Sequence, residues 1–200
     1  MELAAFLASV VLISLSGVLA PGPLLAATIA EGRTNRFAGL FITLGHAIFE
    51  VPIIIGLFLF GTVAATSSLR SAIGLIGGIV LLYYAYRELQ SSPEEVRPAR
   101  GVFTGIAMSS LNPYFIVWWL TVGFHLVLQS TAFGLLGIGL FIVAHEACDG
   151  AWLGFVAYMS HKSSQTFGPK AARTLSLISV TILVVFGGYF IVSGAQGLLA

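Results

Sequence analysis

Ala20-Pro21-Gly22-Pro23 interrupts an uncharged apolar stretch that runs from about Leu3 to Ala30. A stretch of that length is a candidate membrane-spanning helix, since about 20 apolar residues cross a bilayer. Proline removes a backbone donor and frees a carbonyl one turn earlier. Lipid holds no water to satisfy those groups. The break is therefore tolerated only where protein packs around it or where it lines a cavity. Asn112-Pro113 interrupts another apolar stretch in the second half of the chain. Helices broken at corresponding places in two halves point to a transporter's binding site.

The composition gives the same class by a separate route. The 200 residues are 58% hydrophobic and 8% charged, with mean hydropathy +0.99, whereas a soluble domain carries about 25% charged residues. The net charge of +1 gives no basis for a nucleic-acid partner. The single cysteine, Cys148, excludes an internal disulfide. The start, Met1-Glu2, lacks a basic n-region, so the first stretch is expected to be a retained span and not a signal peptide. No catalytic motif is present. His145-Glu146 is not followed by the second histidine of a metalloprotease helix, and an enzyme is not expected.

Six apolar segments are long enough to cross: about 3–30, 37–66, 71–89, 101–128, 132–160 and 174–199. They are long and lack strict alternation, so they read as helices and not barrel strands. Of nine Lys and Arg residues, all but Arg70 fall on the side that holds the 90–100 loop. That side is expected to be cytoplasmic and both termini outside, in a multi-pass protein of the cell (inner) membrane.

The halves repeat one another. Gly39-Leu40-Phe41-Ile42 precedes His46 and Glu50, and Gly139-Leu140-Phe141-Ile142 precedes His145 and Asp149. Arg70, Ile79 and Tyr86 match Arg173, Ile182 and Tyr189 at a constant offset of 103. A three-span unit repeated once enters the membrane upside down the second time. The expected fold is an all-α integral membrane protein of six transmembrane helices. They form two inverted three-helix repeats, 1–90 and 101–200, joined by a cytoplasmic linker at 91–100, with spans 1 and 4 broken at proline.

The candidate chemistry is acidic. Glu50, Glu146 and Asp149 are the formal charges expected near mid-membrane, where an ionised group costs several kcal/mol and faces a bundle interior or wet cavity. His46/Glu50 and His145/Asp149 each stand four apart, on one helix face. An imidazole beside a carboxylate can hold or pass a proton. His46, Glu50, His145, Glu146 and Asp149 are therefore the proton-coupling candidates. The plainer reading is two satisfied pairs that fix helix packing. The His-x-x-x-acid pattern would also suit a divalent cation, but no His-x-x-x-His or thiolate cluster accompanies it. No metal or cofactor is assigned.

Asn112 can cap a helix that begins at Pro113, and Pro23 can begin one after a bend at Gly22. Exposed N–H groups at a helix start suit a carboxylate, and buried acids suit an ammonium. An amino acid carries both. Pro21, Gly22, Pro23, Asn112, Pro113, Glu50 and Asp149 are thus the substrate-binding candidates, although simple proline kinks are the plainer reading. Ser14, Ser16, Ser109 and Ser110 precede the breaks, as path-lining or interhelical hydrogen-bonding groups. Gly74/Gly78, Gly101/Gly105 and Gly150/Gly154 have the GxxxG spacing of close helix packing, which also leaves room for a homo-oligomer.

Ala-Pro-Gly-Pro at 20–23, Leu-Asn-Pro at 111–113 and a Gly-rich second span after the basic loop Glu31-Gly-Arg-Thr-Asn-Arg36 carry a resemblance. The chain resembles the lysine exporter (LysE-type) amino acid translocator family over its whole length, departing at Trp118-Trp119. The resemblance implies proton-driven secondary export of amino acids, basic ones among them, from the cytoplasm across the lipid bilayer. Related families move cadmium or other cations, so export of a divalent or other inorganic cation is the alternative.

Overall fold

A computed structural model of the chain describes residues 2–19, 22–60, 67–90 and 100–199. Every regular element among them is helical. The order is α1 (Leu3–Val18), α2 (Pro23–Gly32), α3 (Ala38–Phe60), α4 (Ser67–Leu89), α5 (Gly101–Ser110) and α6 (Pro113–Trp118). A π-helical turn (Trp119–Gly123), α7 (Phe124–Ser130), a 3-10 turn (Thr131–Phe133) and α8 (Gly134–Leu199) follow.

Both predicted breaks coincide with helix ends. α1 stops at Val18 and α2 starts at Pro23, with proline in its first turn and an extended Gly22 before it. Ala20 and Pro21 lie outside the described residues. In the second half α5 stops at Ser110 and α6 starts at Pro113. Asn112 caps α6 as expected, its Oδ1 accepting from the Tyr114 N–H at 3.0 Å. That bond satisfies one of the donors that a helix start leaves free.

Three helical stretches of the described residues are long and apolar enough to cross a membrane: Ala38–Phe60, Phe124–Ala171 and Arg173–Leu198. Leu3–Leu15, Leu75–Tyr86 and Gly101–Ser110 are shorter apolar helices. The connection expected between Ser160 and Thr174 is instead helical. α8 continues to Gly168, which has φ +68°, and resumes at Pro169. Neither helix-breaking residue occurs earlier in that connection, and the pair supplies the left-handed turn and missing donor that end a helix.

The polarity is that of a membrane-embedded protein. Leu12, Phe60, Ile79, Leu135 and Val143 are exposed, whereas His46, Glu50, His145 and Asp149 are buried. Two apolar clusters fill the interior. One gathers Phe6, Val10, Ile54, Trp119, Leu126 and Phe141. The other gathers Ala26, Leu81, Met108, Leu183 and Phe190 from α2, α4, α5 and the last limb of α8.

Small residues set how closely the helices approach. A Cβ on Gly105 would overlap the Ile42 carbonyl of α3, and one on Gly45 would overlap the backbone at Val102. α3 and α5 therefore meet backbone to backbone, as the GxxxG spacing predicts. Gly150 and Gly154 differ: a Cβ there would make only ordinary contacts, to Thr43 and Leu40. A Cβ on Gly78 would crowd Ile191 and the Gly187 carbonyl of α8, and Gly74 lies outside the positions described at this level. Arg33, counted among the loop cations, is buried and paired with Glu88 of α4.

Candidate functional site

A cavity of about 110 Å³ opens where the two breaks meet α3 and α8; on the same measure one buried water needs about 10–15 Å³. Gly22 and Pro23 line it from the first break and Asn112 from the second. His46 and Glu50 enter from α3, and His145 and Asp149 from α8. Seven of the sequence candidates thus converge on one space. Pro113 starts α6 beside it, with its side chain outside the described set. Pro21 also lies outside the described residues. Glu146 is absent from the described lining. It is half-buried, and neither carboxylate oxygen has a hydrogen-bond partner among the described residues.

The two His-acid pairs form one cluster and not two separate pairs. His46 Nε2 lies 3.0 Å from Glu50 Oε1 and 3.9 Å from Asp149 Oδ1. His145 Nε2 lies 3.4 Å from Glu50 Oε2 and 3.6 Å from Asp149 Oδ2. Each imidazole therefore faces both carboxylates, one from its own helix and one from the other half. The expected i,i+4 geometry brought each acid beside its histidine, and the close packing of α3 against α8 joined the pairs.

Serines hold the rings from behind. Ser109 Oγ is 2.6 Å from His46 Nδ1, and Ser14 Oγ is 2.6 Å from His145 Nδ1. Ser109 already donates its one hydroxyl proton to the Gly105 carbonyl at 2.7 Å. Its oxygen must then accept from His46, so the network assigns a proton to His46 Nδ1. In neutral His46 the remaining nitrogen, Nε2, would point a lone pair at Glu50. Two acceptors facing each other at hydrogen-bond distance require a proton or another cation between them. Ser14 and Ser109 thus act as interhelical hydrogen bonders, and Ser14 also lines the cavity. Nothing is described of the Ser16 side chain.

Sequence reasoning gave Trp118 and Trp119 no role. Trp119 is buried and donates its Nε1–H to Glu50 Oε1 at 2.9 Å. Trp118 stacks on the His145 ring with centroids 5.6 Å apart. Phe115 meets His46 edge-on at 5.4 Å. The π-helical turn begins at Trp119, and such one-turn insertions re-aim side chains, often at functional sites. Pro52 was also overlooked. It sits inside α3 two residues after Glu50 and cannot donate to the Ile48 carbonyl, a standard cause of local bending.

Interrupted helices around a buried polar cavity, in a chain with a lipid-compatible exterior, define a membrane-embedded translocator. The LysE type translocator family matches residues 15–194, most of the chain, and the protein belongs to that family. No curated protein and no solved structure matches it.

Proposed function

We propose that this protein is a secondary active exporter of amino acids, basic ones included, driven by protons moving the other way. Six spans in two inverted halves, with both termini outside and the 90–100 loop in the cytoplasm, are the architecture of this reading. The observation that supports it most is the meeting of both helix breaks with two acids and two histidines in one cavity. The start of α2 has no side-chain cap, so its N–H groups suit the substrate carboxylate. The start of α6 suits it less, because Asn112 occupies the Tyr114 donor. Glu50 and Asp149 take the substrate ammonium or the coupling proton, and the histidines exchange that proton with them. Glu146, close enough to Glu50 to interact with it electrostatically, is a reserve proton site off the cavity.

Export of a divalent or other inorganic cation is the second reading. It is favoured by His46, Glu50 and Asp149, which offer ligand atoms within 4.8 Å of one another.

Proteoliposomes loaded with labelled lysine or leucine test the first reading. An imposed proton gradient is expected to accelerate release of one or both. Equal release with and without protein, for every amino acid tried, would remove it.

A further inference from the structure

We propose that His46, Glu50, His145 and Asp149 together form a binding site for one divalent transition-metal ion of the zinc or manganese type. The inference deepens the cation reading of the same cavity by adding His145 and naming the ion class, and it does not depend on amino-acid export.

The donor set is two imidazole nitrogens and two carboxylates. Imidazole suits zinc, iron and nickel, and carboxylate suits manganese and magnesium, so the mixture selects borderline divalent ions. Two carboxylates with two neutral imidazoles cancel a charge of +2, which makes a buried dication tolerable where an isolated charge is not.

The spacing fits as well. An ion bonded to nitrogen and oxygen at about 2.0–2.2 Å holds adjacent ligand atoms about 3–3.6 Å apart, in octahedral or tetrahedral geometry. The nitrogen-to-oxygen distances across the cluster are 3.0, 3.4, 3.6 and 3.9 Å. His46, Glu50 and Asp149 offer ligand atoms that all lie within 4.8 Å of one another, and His145 Nε2 reaches the same two acids through their other oxygens.

Two further observations point inward. Glu50 Oε2 and Asp149 Oδ2 are buried and make no hydrogen bond among the described residues, with His145 Nε2 standing off at 3.4 and 3.6 Å. A buried, unsatisfied carboxylate oxygen costs free energy that a cation would recover. Ser109 fixes the His46 proton on Nδ1 and leaves Nε2 facing the acids. A hydrogen bond to the outer ring nitrogen is the arrangement that orients metal-ligating histidines. Ser14 engages the outer nitrogen of His145 at the same distance.

Each half alone offers one histidine and one acid four residues apart, too few ligands to hold an ion. The site is complete only when α3 and α8 bring both halves together.

Tag-free protein in detergent, titrated with Co²⁺ and read by visible absorption, tests the site, with Zn²⁺ used as a competitor. One ion per chain is expected, with a spectrum typical of nitrogen and oxygen ligands. The double variant His46→Gln/His145→Gln should lose binding. His125→Gln, at an exposed histidine outside the cavity lining, should leave it unchanged. Ser109→Ala touches no ligand atom and should weaken affinity about 10–100-fold, the usual effect of removing an orienting partner. Absence of binding to well-folded parent protein would overturn the proposal. So would binding that survives in the double variant, or equal affinity in Ser109→Ala. Amino-acid release from metal-free proteoliposomes is scored separately, so either proposal can fail alone.

Discussion

Trp119 Nε1 donates to Glu50 Oε1 at 2.9 Å, tying the π-helical turn of the second half to the acid of the first. Hydrogen bonds to charged groups contribute about 1.5–3 kcal/mol. Trp119→Phe keeps most of the buried ring contact and removes the donor. Transport by this variant should fall about tenfold, because 1.4 kcal/mol is a factor of ten. Protein yield should hold. Initial rates in proteoliposomes at matched protein content would check it, and a parent-like rate would show that the bond does not position Glu50.

Neutralising the acids separates a working site from a packing device. Glu50→Gln and Asp149→Asn preserve shape while removing charge. Transport is expected to drop by about 100-fold or more, the scale of losing a proton-transfer group. A packing role predicts the opposite: loss of a buried charge would be neutral or stabilising, with flux intact. His46→Gln and His145→Gln should have smaller effects if the rings only orient the acids, and equal ones if they carry the proton.

Close approach of α3 and α5 gives a stability prediction. Gly105→Leu must push a branched side chain into the Ile42 carbonyl. Overpacking of this kind costs about 1–3 kcal/mol. Thermal unfolding in detergent should shift down relative to the parent. Gly139→Leu is the control, since a Cβ there meets nothing within 4 Å, and it should leave the transition near its original position.

Topology is testable from outside. In a Cys148→Ser background, Glu95→Cys should react with a membrane-impermeant maleimide only after the inner face is exposed. A cysteine at position 2 should react in intact cells. External labelling at position 95 would reverse the orientation proposed from the lysines and arginines.

The breaks were legible because proline and glycine act locally: Pro23, Asn112 and Pro113 each mark a helix end without reference to the rest of the chain. The same is true of His46/Glu50 and His145/Asp149, whose spacing of four fixes a shared helix face. Fusion of those pairs was not legible, since it depends on how α3 and α8 pack. Nor were the serine partners, which lie 63 and 131 residues from their histidines. Trp119 was present in the reading but unplaced, because no local composition signal announces a π-helical turn. The Gly168-Pro169 boundary is local in the same sense, since those two residue types alone end the helix there.

The crossed serine bonds have a consequence for how the molecule could be divided. Ser14 holds the histidine of the second half, and Ser109 holds that of the first. A chain severed within 91–99 would yield two fragments, each with a histidine whose tether resides on the other. Neither fragment could build its own ring orientation, and function would return only by complementation when both are made in one cell.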